Sequence, residues 1–496
     1  MTGASSAPLC EQVARTLHSG PAGGLEVKGT TITWSEVARL AGRVDEALSA
    51  AGLGPGTVVG ILGRNDIFCA AAFLALLASR RCIAILNPFR PQPLVVADAN
   101  ATDVAATLIE ETDADSGAWD AAKGHVLILC QNGSVRSHRA GTPTAMLGRQ
   151  EAAILVPTSG TTGVPRRFAL RADTVGRALQ EIATFQCGFG DLALSPTDMP
   201  PLIQYSPLAH IGGVLTLARA GAEGRSAVLL QKFDPAEWAD VIRRRKLRTT
   251  GLPPAMMRMT LDANVSPTHL NSLVSVWSGS APVDPVVKDA FTDRYGLPVL
   301  GNYGATEFCG AVATWSLAEH YQHREEKTGA VGRVWPNVAS ARVVDPDTNL
   351  PLCFGEVGVL EMQVHRVGSN WLRTNDLAAL DAQSFLFLHG RADNAINRGG
   401  FKILPEIVAT ALRRHPEITD AAVVGIDDAR LGQIPVAAVE APAGADKLRE
   451  ADVIAFARTQ LLSYQMPCRI LVLAALPRTP LMKVDFQAVR GLFAGR

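Results

Sequence analysis

The chain contains 496 residues, 47% of them hydrophobic, and its 47 basic and 47 acidic side chains give a formal net charge of zero. This length predicts two or more units with large apolar cores, and the balanced charge argues against a nucleic-acid partner. The eight cysteines form no CxxC pair, which argues against a disulfide scaffold and against a zinc ribbon.

The N-terminal sequence MTGASSAPLCEQVARTL has no basic segment followed by an apolar one, so it does not resemble a secretion signal. The longest apolar run, Ile67 to Ala78, is shorter than the roughly 20 residues that a membrane-spanning helix needs. We therefore expect a cytoplasmic protein without a membrane partner.

Short runs rich in valine and isoleucine alternate with helical patterns over the first 300 residues. Strands are predicted at 57–63, 82–88, 125–130, 226–231 and 272–279. The helices predicted between and after them include a run ending at Ala78, FDPAEWADVIRRR and PVDPVVKDAFTDRYG. This alternation is typical of parallel sheets covered by helices.

The pattern changes after Gly329. The segments ARVVD, GVLEMQV and FLFLHG predict a small, more antiparallel layer. The sequence after HGRADNAINRGG, about 100 residues and thus enough for a small domain, alternates helices and strands and predicts an α+β unit. We place the domain boundary after residue 391, giving domains 1–391 and 392–496, with a short polar hinge between them.

The stretch LVPTSGTTGVPRR, Leu155 to Arg167, places hydroxyls and glycines directly after an apolar run. Such residues leave backbone N–H groups unobstructed, and a nest of these groups attracts a phosphate. The stretch lacks the GxxxxGK[ST] pattern of a Walker A loop. Taken alone, a cluster of this kind is as often an ordinary loop.

Further motifs follow in a fixed order: SPLAHIGG (206–213), SGSAPV (278–283), NYGATE (302–307), RTND (373–376), GRADNAINRGGFKILP (390–405) and PRTPLMKVD (477–485). Together with TSGTTGVPRR they resemble the adenylate-forming superfamily, in its acyl-CoA or aryl-CoA synthetase (acid:CoA ligase) branch. The resemblance covers about residues 150 to 490. It implies a large N-terminal domain of two doubly wound subdomains plus a small β layer, a mobile α+β C-terminal domain, and an active site between the domains.

The resemblance implies that a carboxylic acid reacts with Mg-ATP to form an acyl-adenylate, which then passes its acyl group to a thiol. Lys483 would bridge the carboxylate and the α-phosphate, Glu307 would hold Mg²⁺, and Thr162 and His210 would complete the catalytic set. Tyr303 would stack on adenine, and Asp376 would accept the ribose hydroxyls with help from Arg391. The full set implied for nucleotide binding is Thr158, Ser159, Gly160, Thr161, Thr162, Gly163, Arg166, Ser278, Gly279, Ser280, Tyr303, Gly304, Thr306, Asp376 and Arg391.

Ordinary structural roles remain open for several of these residues. Tyr303 could be a core aromatic residue with a hydrogen-bonded hydroxyl, Asp376 and Arg391 a surface ion pair, and Lys483 a solvated lysine. His210 is as readily a core histidine as a residue at the junction of acid pocket and thiol tunnel.

The acid pocket implied by the resemblance is lined by small or apolar residues: Ala209, His210, Ile211, Gly212, Gly213, Ser278, Gly279, Gly301 and Gly310. The segment 206–213 has no carboxylate for a substrate ammonium, so we expect an acid without an α-amine, with an aryl ring or another bulky hydrophobic body. Asp393 would be the hinge residue, and Gly399 and Gly400 would border the tunnel for the pantetheine arm.

Three motifs depart from the family pattern. Arg166 and Arg167 stand where lysine is usual, which keeps the charge but not the shape of the cation, Asn375 replaces a glycine in RTND, and Met482 replaces the glycine before the lysine. None removes a catalytic group, so we expect an active but divergent member.

We expect ATP, Mg²⁺ and CoA as cofactor and co-substrates, a small-molecule carboxylic acid as the other substrate, and a monomer or homodimer. The alternatives are an acyl-AMP ligase that loads a separate carrier protein and a non-catalytic nucleotide-binding homologue. A luciferase-like oxygenase is a more distant alternative.

Overall fold

The computed structural model describes residues 8–141, 153–157, 167–186, 199–399, 401–441, 448–479 and 482–494. The chain divides into two compact units. The first unit comprises Met1–Thr250, Asp262–Val276 and Gly304–Ala311, and the second comprises Gly251–Leu261, Trp277–Tyr303 and Val312–Arg496.

The strands, in chain order, are β1 Gly24–Val27, β2 Thr30–Thr33, β3 Val58–Leu62, β4 Cys82–Leu86, β5 Ala106–Glu110, β6 His125–Leu129, β7 Val135–Arg139, β8 Ala153–Pro157, β9 Arg167–Arg171, β10 Leu202–Gln204, β11 Ala227–Leu229, β12 Thr249–Gly251, β13 Ser275–Ser278, β14 Val299–Ala305, β15 Gly310–Thr314, β16 Ala330–Val334, β17 Ala339–Val344, β18 Gly358–Val364, β19 Leu372–Leu380, β20 Phe385–Arg391, β21 Ile396–Arg398, β22 Phe401–Ile403, β23 Asp420–Asp428, β24 Gly432–Glu440 and β25 Ile470–Leu473.

The helices, in chain order, are α1 Leu9–Ser19, α2 Trp34–Ala50, α3 Ile67–Ala78, α4 Gln92–Ala101, α5 Glu111–Ala114, α6 Ala172–Gln186, α7 Ile211–Glu223, α8 Pro235–Arg245, α9 Pro254–Asp262, α10 Pro267–Leu270, α11 Pro285–Tyr295, α12 Leu317–His323, α13 Pro405–Arg413, α14 Glu450–Gln460 and α15 Phe486–Gly491. None of the helices in the described part of the chain is long and apolar enough to cross a membrane.

A seven-stranded sheet in the first unit has the order β7-β6-β5-β3-β4-β8-β9. Its five central strands are parallel, and the two edge strands are antiparallel to their neighbours. Helix α3 (IFCAAAFLALLA) has no charged residue, and its side chains are buried almost throughout because it packs within the core beside this sheet. The predicted parallel arrangement is confirmed here.

A second sheet of the first unit has the order β10-β11-β1-β2. Strand β1 pairs in parallel with β11, about 200 residues further along the chain, and forms an antiparallel hairpin with β2. Sequence patterns did not predict the hairpin, because both strands are only four residues long and β2 is mostly exposed.

The second unit contains most of a nine-stranded sheet of order β12-β13-β14-β15-β16-β20-β19-β18-β17. The strands from β16 to β17 in this order are antiparallel, as the sequence predicts. They extend the nine-stranded sheet and do not form a separate layer. Antiparallel pairing of β19 with β20 places Asp376 opposite Arg391, two residues that the resemblance assigns to the nucleotide.

The C-terminal part of the second unit is an α+β arrangement, as predicted. Strands β22-β21-β24-β23 form a sheet that β25 joins in parallel beside β24. Helices α13 and α14 contribute Val408, Leu412, Val453 and Ala457 to a core that this part of the chain does not share with the seven-stranded sheet. The mixed α/β class with a large N-terminal and a small C-terminal region is thereby confirmed.

Candidate active site

The stretch expected to bind phosphate, residues 158–166, lies outside the described residues, so the roles of Thr158, Ser159, Gly160, Thr161, Thr162, Gly163 and Arg166 stay predictions. The strands on either side of the stretch are described. Strands β8 and β9 are antiparallel, and Pro157 pairs directly with Arg167. The two ends of the stretch are therefore adjacent in the sheet.

Arg167 is part of the sheet and not of a surface loop. Its Nη2 lies 2.5 Å from Asp98 Oδ2, its Nε donates to the Thr102 hydroxyl at 2.9 Å, and its Nη1 donates to the Ile85 carbonyl at 2.6 Å. Burial raises the pKa of Asp98 and lowers the pKa of Arg167, while the close contact between them compensates for the lost hydration. Arg167 is thus held by the sheet and its neighbours, and the role of Arg166 beside the phosphates stays a prediction.

Tyr303, Asp376 and Arg391 meet in the second unit, and we call these three residues the carboxylate corner. The Tyr303 hydroxyl donates to Asp376 Oδ2 at 2.5 Å, and Arg391 Nη1 lies 3.7 Å from Asp376 Oδ1. Tyr303 is 8% exposed. The corner combines an aromatic face, a carboxylate that can accept from two ribose hydroxyls, and a cation, although the structure also matches the alternative of a hydrogen-bonded core tyrosine.

Lys483 lies within electrostatic reach of this corner. Burial and the nearby positive charge of Arg391 hold the pKa of Lys483 below its usual range. The turn that carries Lys483 is closed by hydrogen bonds from Thr479 N to the Lys483 carbonyl and from Asp485 N to the Pro477 carbonyl, at 2.8 and 2.9 Å. A half-buried lysine beside another cation is a favourable site for an anionic ligand.

Met482, the residue before this lysine, has φ +59°. This is the left-handed region, in which a side chain is strained and glycine is favoured. The turn thus holds Met482 in a backbone conformation that glycine would adopt without strain.

Ser278, at the end of β13, is 1% exposed, and its hydroxyl has no hydrogen-bond partner within the described structure. A buried hydroxyl without a partner is unfavourable unless a ligand supplies one. The next residue, Gly279, is required by packing, because an added Cβ would lie 2.0 Å from Asn302 Oδ1. Ser280 has φ +69° and completes a tight turn after the strand.

The first unit includes Gly304, near the end of β14, and Thr306 and Glu307, in the turn between β14 and β15. The Phe308 and Cys309 N–H groups donate to the carbonyls of Ala305 and Thr306, which closes the turn. Glu307 is half-buried, and the described structure gives its carboxylate no hydrogen bond or ion pair with protein. A carboxylate in that state suits a hard cation such as Mg²⁺, which takes oxygen ligands.

His210, in the segment 206–213 that we call the His210 segment, is the N-cap of α7. Its Nδ1 accepts from Gly212 N at 3.2 Å, so the neutral ring carries its proton on Nε2. Ile211 is buried at the start of the helix. The histidine thus has a structural role at the helix end and presents a donor at its other nitrogen.

Asn65 fixes the His210 segment and was missed by sequence reasoning. Its Nδ2 donates to the carbonyls of Ser206 and Leu230 at 3.0 and 2.9 Å, and its Oδ1 accepts from Leu208 N and Gln204 Nε2. Asn65 is 5% exposed, so these contacts satisfy a buried amide almost completely. A single asparagine after a strand gives no recognisable signal in the sequence.

Backbone packing requires glycine at two of the positions assigned to the acid pocket, Gly213 and Gly301. An added Cβ would lie 2.3 Å from the Pro207 carbonyl oxygen at Gly213, 2.6 Å from the Val331 carbonyl oxygen at Gly301, and 3.2 Å from the Ser206 hydroxyl at Gly212. Gly310 has φ +117° and lies next to Leu215. Their small size thus has a structural cause, and their place in an acid pocket stays a prediction.

The hinge and tunnel residues are described only in part. Asp393 is in the short 3-10 turn Ala392–Asn394 that follows β20, and Gly400 lies outside the described residues. Gly399 has φ +54° in the turn between β21 and β22, and its N–H donates to the Leu431 carbonyl at 2.8 Å. The turn itself therefore requires a glycine at position 399, and the hinge and tunnel roles stay predictions.

Comparisons with known proteins support the fold and the family. The sequence profile of the AMP-binding enzyme family matches residues 12–367, and that of the AMP-binding enzyme C-terminal domain matches residues 408–483. The predicted domain boundary after residue 391 lies between the two matches and remains a prediction.

Three similar proteins illustrate the relationship. 4-Coumarate–CoA ligase 1 of Petroselinum crispum is 27% identical over 500 aligned residues, which cover 94% of this chain and 90% of the relative. The crystal structure of ATP-bound MatB from Rhodopseudomonas palustris has a TM-score of 0.81 at 22% identity, covering 98% of this chain and 99% of that one.

The amide bond synthetase McbA from Marinactinospora thermotolerans has the same TM-score at 24% identity, covering 98% of this chain and 100% of that one. These structural similarities establish the fold alone. The two profile matches cover most of the sequence, and the chain therefore belongs to the AMP-binding enzyme family.

Proposed function

We propose that this protein is an AMP-forming acid:CoA ligase. It activates a carboxylic acid with ATP to an acyl-adenylate, releases pyrophosphate, and transfers the acyl group to CoA, giving acyl-CoA and AMP. The observation that carries the proposal is the carboxylate corner, with Lys483 close enough to Arg391 for their charges to interact. The relative from Petroselinum crispum is likewise named as a CoA ligase.

The carboxylate corner supports binding of the nucleoside. Tyr303 offers a largely buried ring for stacking on adenine. Asp376 is an ionisable acceptor that adjoins both the Tyr303 hydroxyl and Arg391, so it can take the two ribose hydroxyls without leaving its neighbours. The partnerless Ser278 hydroxyl offers one more polar contact to a ligand.

Lys483 supports the adenylation step. The acid's carboxylate oxygen attacks the α-phosphorus, and negative charge accumulates between the acid, the α-phosphate and the departing pyrophosphate. An ammonium at Lys483 would attract the carboxylate towards the phosphate and stabilise this charge. The burial that lowers its pKa also strengthens its interaction with the bound anions.

Glu307 would hold the magnesium ion. The ion would neutralise phosphate charge when it is bound, and Glu307 fits it because its carboxylate has no protein partner in the described structure. His210 would present its Nε2 proton where the acid and the thiol approach each other.

We propose an aryl or otherwise bulky hydrophobic acid as substrate. The His210 segment contains no carboxylate to pair with a substrate ammonium, and its side chains are small or apolar apart from Ser206 and His210. The acid in the name of the 4-coumarate–CoA ligase relative is aromatic, which agrees with this class.

The test is pyrophosphate release from ATP with a panel of aryl, cyclic, fatty and amino acids, run with and without CoA, and with the thioester followed by mass. Simple amines are added as acceptors in parallel, because an amide bond synthetase shares the fold. We expect CoA-dependent turnover with an aryl or bulky hydrophobic acid and formation of its CoA thioester.

Any other result would favour a different function or a different class of acid. Adenylate formation without a CoA thioester would contradict the CoA step and favour a separate carrier protein or an amine as acceptor. Turnover of amino acids alone would contradict the acid class. ATP binding without pyrophosphate release for any acid would favour the non-catalytic homologue.

A further inference from the structure

Arg413, near the end of α13, contacts three carboxylates in the second unit. Its Nε lies 2.8 Å from Asp284 Oδ2, its Nη1 lies 3.5 Å from Asp420 Oδ1, and its Nη2 makes a short contact with Glu406. The side chains of Arg413 and Asp284 are only 15% and 16% exposed. The pair between them is therefore shielded from water and from salt more than a surface pair is.

Asp284 lies on a different structural element from Arg413. It immediately follows the segment SGSAPV and is the N-cap of α11, where its Oδ1 accepts from Val286 N at 2.8 Å. One carboxylate thus begins a helix with one oxygen and holds Arg413 with the other. A second contact joins the C-terminal region to the part of the chain that precedes it, because Arg258 Nη2 donates to the Thr419 carbonyl at 3.2 Å.

The network continues from Asp420 to the turn of Lys483. Arg478 Nη2 lies 2.7 Å from Asp420 Oδ2 and 3.2 Å from Glu440 Oε2, and its Nη1 donates to the Met482 carbonyl at 3.4 Å. Asp420 is therefore shared by Arg413 and Arg478. We call Asp284, Arg413, Asp420 and Arg478 the latch.

We propose that the latch is a positioning device for adenylation: the pair of Asp284 and Arg413 keeps the C-terminal region in the arrangement that places Lys483 beside the carboxylate corner. This inference rests on the proposed function, because it assigns the latch to the half-reaction in which Lys483 acts. None of its members is among the residues assigned to the substrates, so we propose that they act through the position of Lys483.

The latch is continuous from Asp284 to the turn that carries Lys483. Each latch residue contacts the next through an ion pair, and the last one holds the backbone carbonyl of the residue before Lys483. Loss of the Asp284 charge leaves Arg413 with its other two carboxylates, so the C-terminal region stays folded while its main charged contact with the start of α11 is lost. We therefore expect the fold to stay intact and Lys483 to occupy its position beside the carboxylate corner less often.

The experiment compares Asp284→Asn, Arg413→Gln and the double variant with the unmodified protein. Asparagine keeps an oxygen that can accept from Val286 N, so the α11 cap is preserved. Arg342→Gln is the matched control, because it breaks an ion pair with Glu361 between strands β17 and β18 that includes no latch residue.

Two half-reactions are measured for each protein: ATP–pyrophosphate exchange with the acid, and thioester formation from prepared acyl-adenylate and CoA. We expect each single variant to reduce the exchange about fivefold, and the double variant to lose no more than either single variant, as for two residues that act as a pair. Thioester formation should be unchanged or faster. Equal loss in both half-reactions, or additive losses in the double variant, would overturn the proposal.

Hydrogen exchange of the peptides that cover residues 476–485 provides a readout that does not depend on activity. We expect faster exchange at the Thr479, Met482 and Asp485 amides in the latch variants, and no change in Arg342→Gln. Unchanged exchange in the latch variants would overturn the latch even if the protein is an active ligase. If exchange is faster in the latch variants but the protein forms no adenylate with any acid, both the proposed function and the positioning role are refuted. The latch would then be a structural network only.

Discussion

The carboxylate corner and the His210 segment are fixed by different kinds of interaction. In the corner, charged and hydroxyl side chains hold one another: Tyr303 donates to Asp376, Arg391 faces the same carboxylate, and Lys483 lies near Arg391. In the His210 segment the backbone is fixed by hydrogen bonds of Asn65 to the Ser206 carbonyl and the Leu208 N–H group, and by the close packing of Gly213 on the Pro207 carbonyl.

This difference has consequences for how each region responds to change. Substitutions that alter charge in the corner should change catalysis or ligand affinity and affect the fold little, because its charged members, Asp376 and Arg391, are partly exposed. Substitutions that add volume in the His210 segment should lower stability, because the interior there has no space to relax.

The largest effect is expected for Lys483→Ala. Removing the ammonium should slow adenylation about 100- to 1000-fold, the usual consequence of losing one positioned electrostatic group. Thioester formation from prepared acyl-adenylate should continue at nearly the original rate, since the lysine acts in the other half-reaction. Parallel assays of the two half-reactions check this, and equal losses would contradict the role of Lys483.

A smaller effect, on stability, is expected for Gly213→Ala. The new Cβ would lie 2.3 Å from the Pro207 carbonyl oxygen, so the segment must shift, at a cost of about 3 kcal/mol. Gly42→Ala is the control, because Gly42 is inside α2 with no atom near its Cβ position, and alanine should stabilise that helix by about 0.5–1 kcal/mol. Thermal unfolding of both variants is the measurement. A Gly213→Ala protein with an unchanged midpoint would show that packing does not fix the segment.

Asp376→Asn tests the corner without adding volume. Asparagine can still accept from the Tyr303 hydroxyl but no longer attracts Arg391, and it binds ribose hydroxyls less strongly than a carboxylate. We expect the KM for ATP to rise about tenfold, with a smaller change in kcat. Glu361→Gln, which removes a carboxylate on the adjacent strand β18, should leave the KM for ATP unchanged. Similar KM values for ATP in the Asp376 variant and the unmodified protein would contradict the role of Asp376 in binding the ribose.

The smallest effect is expected for Met482→Gly. Glycine removes the strain of a side chain at φ +59°, so the protein should gain about 1 kcal/mol in stability. Met482→Ala keeps the Cβ and should give no such gain. Differential scanning calorimetry compares the two variants, and equal midpoints for them would indicate that the left-handed conformation is not strained.

The sequence predicts the elements whose pattern is local. The strands β3, β4 and β6 and the helices α3, α8 and α11 lie where hydrophobic runs and helical periodicity place them. The antiparallel segments after Gly329 were predicted as strands, but their membership of the nine-stranded sheet was not, since pairing partners are a tertiary property.

The residues of the candidate site are also of two kinds: those that sequence motifs predict and those that only tertiary contacts reveal. Tyr303, Asp376 and Arg391 come from motifs more than ten residues apart, and antiparallel pairing of β19 with β20 explains why two of them face each other. Asn65, Arg413 and the buried pair of Asp98 with Arg167 carry no sequence signal, because each depends on partners that lie far away along the chain. Their importance is visible only in the contacts.

The paired ends of the stretch 158–166 have a consequence for protein engineering. Pro157 and Arg167 are held in register by β8 and β9, and Arg167 is anchored further by Asp98, Thr102 and the Ile85 carbonyl. The closure of this stretch is thus already provided by the sheet, and the entropy of loop closure depends only weakly on length. Pro157 and Arg167 are therefore suitable splice points for replacing the stretch with sequences of other lengths and compositions.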